Sequence, residues 1–150
     1  MPHSFTSQLV HCVFSTKQRQ KIIAPELQQR LWPYLGGIAR ENHMKALSIG
    51  GTEDHIHLLL SPPSTLAIAK AIQLLKGGSS KWVHDTFPEH RAFAWQEGYG
   101  AFSIGVADVN RTMAYIENQA EHHRRRDFKE EFLAFLKKHG IECDERYIWD

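Results

Sequence analysis

The seventeen residues from Met44 to Leu60, MKALSIGGTEDHIHLLL, constrain the chain most. Two apolar runs, Met44 to Gly50 and His55 to Leu60, flank the polar turn Gly51-Thr52-Glu53-Asp54, a pattern that predicts an antiparallel hairpin. Side chains on a strand alternate faces, so Ile56, Leu58 and Leu60 can pack on helices while His55 and His57 share the opposite face.

Helical patterns lie on both sides of the hairpin. Pro25 opens the first, in which Leu27, Leu31, Leu35 and Ile38 recur at helical spacing and Pro33 invites a bend. After Pro62-Pro63, Ser64 or Thr65 can cap a second, carrying Leu66, Ile68, Ala69, Ile72 and Leu75; Gly77-Gly78 in its course signals a break or a close approach. Leu9 to Ser15 predicts a strand before the first helix and Ala101 to Val106 one after the second. Strand, helix, hairpin, helix, strand is the split βαβ order of a ferredoxin-like α+β fold, an antiparallel four-stranded sheet with helices on one face. Two helices are appended: one from an Asp108 cap to about Arg126, bearing Tyr115, and one from Phe128 to His139, ended by Gly140.

At 150 residues and 42% hydrophobic content, one domain spanning 1–150 is expected. The formal charge of +1 means that nucleic-acid affinity must come from local basic clusters. Cys12 and Cys143 have no CxxC partner, which argues against a disulfide framework and a zinc knuckle. No run approaches the roughly 18 apolar residues of a membrane span, and the start lacks the pattern of an export signal. A cytoplasmic protein without a membrane partner is expected.

His55 and His57 form half of a metal site, or else a hydrogen-bonded structural pair. In TMAYIENQAEHH, Tyr115 and Gln119 are one helical turn apart, while Val109, Met113, Ile116 and Ala120 form a separate apolar stripe. Alone, such a Tyr–Gln pair suits a helix surface as well as an active site.

Together, His-Ile-His on a strand and Tyr-x-x-x-Gln on a later helix resemble the HUH single-tyrosine transposases, TnpA-like enzymes of small bacterial insertion sequences and their repeat-associated relatives. VFSTK, GGTEDHIHLLL, WQEGYGAFSI and YIENQAEHH carry the resemblance in order along nearly the whole chain. It implies that His55, His57 and Gln119 hold Mg²⁺ or Mn²⁺. It also implies that Tyr115 attacks a phosphate of single-stranded DNA near a hairpin, leaving a 5′-phosphotyrosine that a second 3′-hydroxyl resolves. Two nitrogens and one amide oxygen would leave coordination positions open, as Lewis-acid chemistry needs. No P-loop appears, and resealing through a phosphotyrosine needs no nucleotide cofactor. A homodimer is expected, since the sheet leaves edges to pair, and its sites can combine His55 and His57 of one subunit with Tyr115 of the other; a monomer, or sites wholly within each subunit, is the alternative.

Lys17 and Arg19 near the first strand, Lys76 and Lys81 around Gly77-Gly78, and Arg124 in HHRRR are candidate DNA-phosphate contacts, each equally readable as solvated surface or helix-end charge. Trp95 and Tyr99 could stack on a base or cover the core edge, and Glu53 and Asp54 could orient an imidazole or simply suit the turn. Two rival functions remain open. A replication or conjugation nickase commonly has a third histidine and further domains; a noncatalytic regulator of the same fold would bind hairpin DNA without cutting.

Overall fold

The computed structural model describes residues 4–119, 126–145 and 149. β1 (Val10–Ser15), β2 (Lys45–Gly51), β3 (His55–Ser61) and β4 (Gly100–Ser103) form a four-stranded sheet in the order β2-β3-β1-β4, every neighbour antiparallel. This is the ferredoxin-like order expected. Because β3 and β1 are central, both of their faces are covered, and His55 through Leu60 are all buried.

On one face lie α1 (Pro25–Glu41) and α2 (Ile68–Thr86). Their stripe residues Leu27, Leu31, Leu35, Ala71, Ile72 and Leu75 pack with Cys12, Phe14, Ile56, Leu58 and Leu60 into the main core. Pro25 sits in the first turn of α1, where its missing N–H is harmless, and the helix continues through Pro33. α2 starts at Ile68, beyond the expected Ser64 or Thr65 cap, because 63–66 fold into a turn in which Leu66 N–H donates to the Pro63 carbonyl. It then runs unbroken through Gly77-Gly78. A Cβ on Gly78 would lie 2.9 Å from Ile38 Cδ1, so this glycine marks the close approach of α1 and α2.

The opposite face is covered by the appended helices, α3 (Val109–Glu117) and α4 (Phe128–Lys138). Val13 and Phe102 of the sheet meet Phe128, Phe132 and Leu136 of α4 in a second cluster. Asp127 caps α4 by accepting from Glu130 N–H at 2.9 Å, and Gly140 closes its end at φ +65°. β4 stops at Ser103, short of the expected Val106, because Ser103 pairs with Val10, the first residue of β1, and the partner strand ends there. Asp108 precedes α3 but its carboxylate pairs with Arg111 instead of capping. α3 ends at Glu117; the rest of the expected helix, including Ala120 and Arg124, falls largely outside the described residues.

α3 rests on the edge strand β2 through Gly50, where a Cβ would stand 2.5 Å from the Ile116 carbonyl oxygen. Gly50→Val therefore forces the tyrosine helix off the sheet. We expect a loss of roughly 1–3 kcal/mol, a fall in Tm of about 3–9 °C by thermal circular dichroism. An unchanged Tm would contradict this packing. Both cysteines are free, and no helix among the described residues is long and apolar enough to cross a membrane.

Candidate active site

The strand period places His55 and His57 side by side on the α3/α4 face, both fully buried, with ring centroids 5.1 Å apart. α3 brings Tyr115 over them, its ring 5.7 Å from that of His57. One turn on, the Gln119 amide donates to the Tyr115 carbonyl at 3.0 Å, which leaves its Oε1 facing His55 Nε2 at 3.2 Å. The four residues singled out in the sequence thus converge within one chain.

The sequence reading missed Glu131 on α4. Its carboxylate is 1% exposed and bridges the site: Oε1 lies 2.9 Å from His57 Nε2 and 3.6 Å from His55 Nε2, while Oε2 accepts the Tyr115 hydroxyl. The signal was a charged residue inside an apolar stripe, three after Phe128 and four before Phe135. His11 on β1 was missed too. It is buried, and its Nε2 sits 2.8 Å from His57 Nδ1.

His55 Nδ1 is 2.7 Å from Asp54 Oδ1, which accepts its proton. Of the two acidic turn residues, Asp54 is the one that orients an imidazole. With Nδ1 protonated, His55 Nε2 presents a lone pair toward Gln119 Oε1 and Glu131 Oε1, so acceptors converge on a point that a cation would fill. Adjacent ligands at about 2.1 Å from an octahedral Mg²⁺ stand about 3 Å from one another. The separations of 2.9, 3.2 and 3.6 Å lie close to that value. The ligating atoms of His55, His57 and Glu131 all fall within 4.8 Å of one another. The donor set fits a divalent metal, with Glu131 as a third ligand beside or in place of Gln119.

Burial, and then the negative charge and hydrogen bond of Glu131, push the Tyr115 phenol well above its ordinary 10. Burial and the neighbouring His57 push His11 down to about 3, so His11 is a neutral imidazole near pH 7.

The basic candidates fare differently. Lys17 is exposed beside β1, and the Arg19 guanidinium lies 5.5 Å from the Trp149 ring. Lys76 donates to the carbonyls of Gln96, Glu97 and Gly98, and burial lowers it to about 8. All three ammonium donors are thereby used, so in this chain Lys76 anchors the 96–98 loop. Lys81 is exposed and pairs with Asp85 at 2.6 Å. Trp95 belongs to the core edge, donating to Ser79 Oγ at 3.0 Å, while Tyr99 stays partly exposed.

The sequence profile of the family described as "Transposase IS200 like" matches residues 4–119. The chain belongs to this family. Among curated relatives of this transposase, the ISDra2 transposase TnpA of Deinococcus radiodurans is 25% identical over 114 residues, 73% of this chain and 81% of that protein. The transposase for insertion sequence element IS200 of Salmonella typhimurium is 26% identical over 117 residues, 74% of this chain and 76% of that one. Two solved structures share the fold. A candidate transposase from Deinococcus radiodurans R1 has TM-score 0.65 at 23% identity, covering 79% of this chain and 96% of that one. A REP-associated tyrosine transposase bound to a REP hairpin has TM-score 0.61 at 12% identity, covering 82% and 72%. The family match ends at Gln119, so the transposase's α4, and Glu131 with it, lies outside the matched segment.

Proposed function

We propose that this transposase cleaves and rejoins single-stranded DNA through a covalent 5′-phosphotyrosine on Tyr115. One observation carries the reading: the Tyr115 hydroxyl is joined through Glu131 to the same cluster of ligand atoms that includes His55 and His57. His55, His57 and an oxygen of Glu131 or Gln119 would hold Mg²⁺ or Mn²⁺, which would supply Lewis-acid polarisation of a phosphoryl oxygen. Tyr115 Oη attacks the phosphorus, the bond to the 3′ oxygen breaks, and that strand leaves as a 3′-oxyanion that takes a proton from water to become the 3′-hydroxyl. Glu131 Oε2, already accepting the phenol proton, is placed to receive it. A second 3′-hydroxyl reverses the sequence and frees Tyr115, so resealing needs no nucleotide cofactor. Substrates are proposed to be hairpin-bearing ends, and pairing of β2 or β4 edges is the proposed route to a homodimer.

A second reading, hairpin binding without cleavage, draws on the complete burial of His55 and His57 under α4. A scissile phosphate reaches them only if α4 gives way. Cleavage of labelled single-stranded oligonucleotides separates the two readings. The single strand should be cut faster than its duplex by about 10²-fold, since unpairing costs a few kcal/mol and each 1.36 kcal/mol is tenfold. Equal rates would overturn single-strand specificity, and binding without cutting would favour the regulator.

A further inference from the structure

The two histidines are held by partners of different chemistry. His55 Nδ1 meets the carboxylate of Asp54, which can only accept, so the proton stays on Nδ1 and Nε2 keeps its lone pair. His57 Nδ1 meets Nε2 of His11, an imidazole nitrogen that can accept or donate according to its own tautomer. On its other side, His57 Nε2 meets Glu131 Oε1 at 2.9 Å. Beside that carboxylate, Nε2 carries the proton and donates it, and Nδ1 then accepts from His11 Nε2–H. Beside a metal, Nε2 must offer a lone pair, so Nδ1 carries the proton and donates it to His11.

We propose that His11 is a positioning residue that lets His57 change tautomer between a Glu131-bound and a metal-bound state while their hydrogen bond is kept. The inference rests on the metal reading of the site. The protons balance: one leaves His57 Nε2 for solvent, the shared proton crosses from His11 Nε2 to His57 Nδ1, and one is taken up at His11 Nδ1. His11 also lines a cavity of about 300 Å³ with Arg111, Thr112, Tyr115 and His139, which gives its ring a route for that exchange. At His55 Nδ1 the Asp54 carboxylate, with the Thr52 hydroxyl 2.9 Å away, favours a fixed proton, whereas that of His57 is adjustable.

Long-range ¹H–¹⁵N spectra of the whole protein report the tautomers directly. Metal-free wild type should show the Nε2–H form of His57, and Mg²⁺-saturated protein the Nδ1–H form, with His11 changing in step. Mn²⁺ affinity, followed by electron paramagnetic resonance, should fall about 10–100-fold in His11→Leu, the range for losing an outer partner of a ligand histidine. His11→Gln, whose amide can turn to donate or accept, should restore most of it. A merely structural His11 would lower Tm without coupling to the His57 tautomer. Metal binding with an unchanged His57 tautomer, or undiminished affinity in a folded His11→Leu, overturns the proposal alone. Wild type that binds neither Mg²⁺ nor Mn²⁺ overturns the metal reading and this proposal with it. Should His11→Leu fail to fold, the wild-type spectra and His11→Gln decide.

Discussion

Tyr115→Phe is expected to abolish the covalent protein–DNA adduct while leaving DNA binding within a few-fold of wild type. The substitution removes one oxygen and keeps the ring, which packs edge-on against Phe135 at 5.8 Å and His57 at 5.7 Å. Its direct structural consequence is the loss of the donor to Glu131 Oε2, worth about 1–3 kcal/mol, and Glu131 keeps its contact with His57. The fold should therefore persist with a modestly lower Tm. For chemistry the loss is total, because no other oxygen occupies that place; removing a covalent nucleophile lowers kcat by on the order of 10⁶ in a well-studied protease. Gel separation of the adduct from free ³²P-labelled oligonucleotide checks this. A persistent adduct would move the nucleophile to Tyr34, Tyr99 or Tyr147 and remove the meaning we give to the Tyr115–Glu131 contact.

What could be read in the chain before its fold was known follows from how local each signal is. His55 and His57 are two apart on one strand, and Tyr115 and Gln119 one turn apart on a helix, so sequence spacing alone sets their common faces. The hairpin, the core faces of β3 and α1, and the end of α4 at Gly140 were legible for the same reason. Glu131 and His11 were not, because their roles exist only when α4 and β1 meet β3 across the sheet. A charge in the Phe128/Phe132/Phe135 stripe was visible, but its histidine partners lie some seventy residues away. The role of Lys76 within the fold was not legible, because the carbonyls it meets lie some twenty residues away. In the fold it lies in the middle of α2 and turns to the carbonyls of 96–98. The end of β4 depended on where its partner strand β1 begins, which a local pattern does not encode.

Metal removal should be nearly as damaging as loss of the nucleophile, and it can be tested without altering the chain. If polarisation of the phosphoryl oxygen supplies several kcal/mol, excess EDTA should slow cleavage by about 10²–10⁴-fold, at 1.36 kcal/mol per tenfold. Adding Mg²⁺ or Mn²⁺ beyond the chelator should restore the rate. His57→Ala should be equally inactive and not rescued, although it also leaves His11 Nε2 and Glu131 Oε1 without their buried partner and will be less stable. The third ligand can be told apart in the same assay. A carboxylate neutralises charge and suits a hard cation better than an amide does. If Glu131 is the ligand, Glu131→Gln should raise the Mg²⁺ concentration needed for half-maximal cleavage more than Gln119→Ala does. If Gln119 is the ligand, the order reverses, and Glu131→Gln should chiefly change the pH dependence, since the group placed to take the Tyr115 proton is lost. Full cleavage in EDTA, with free metal shown to be below micromolar, would leave the convergence of His55, His57 and Glu131 a structural network and end the metal reading.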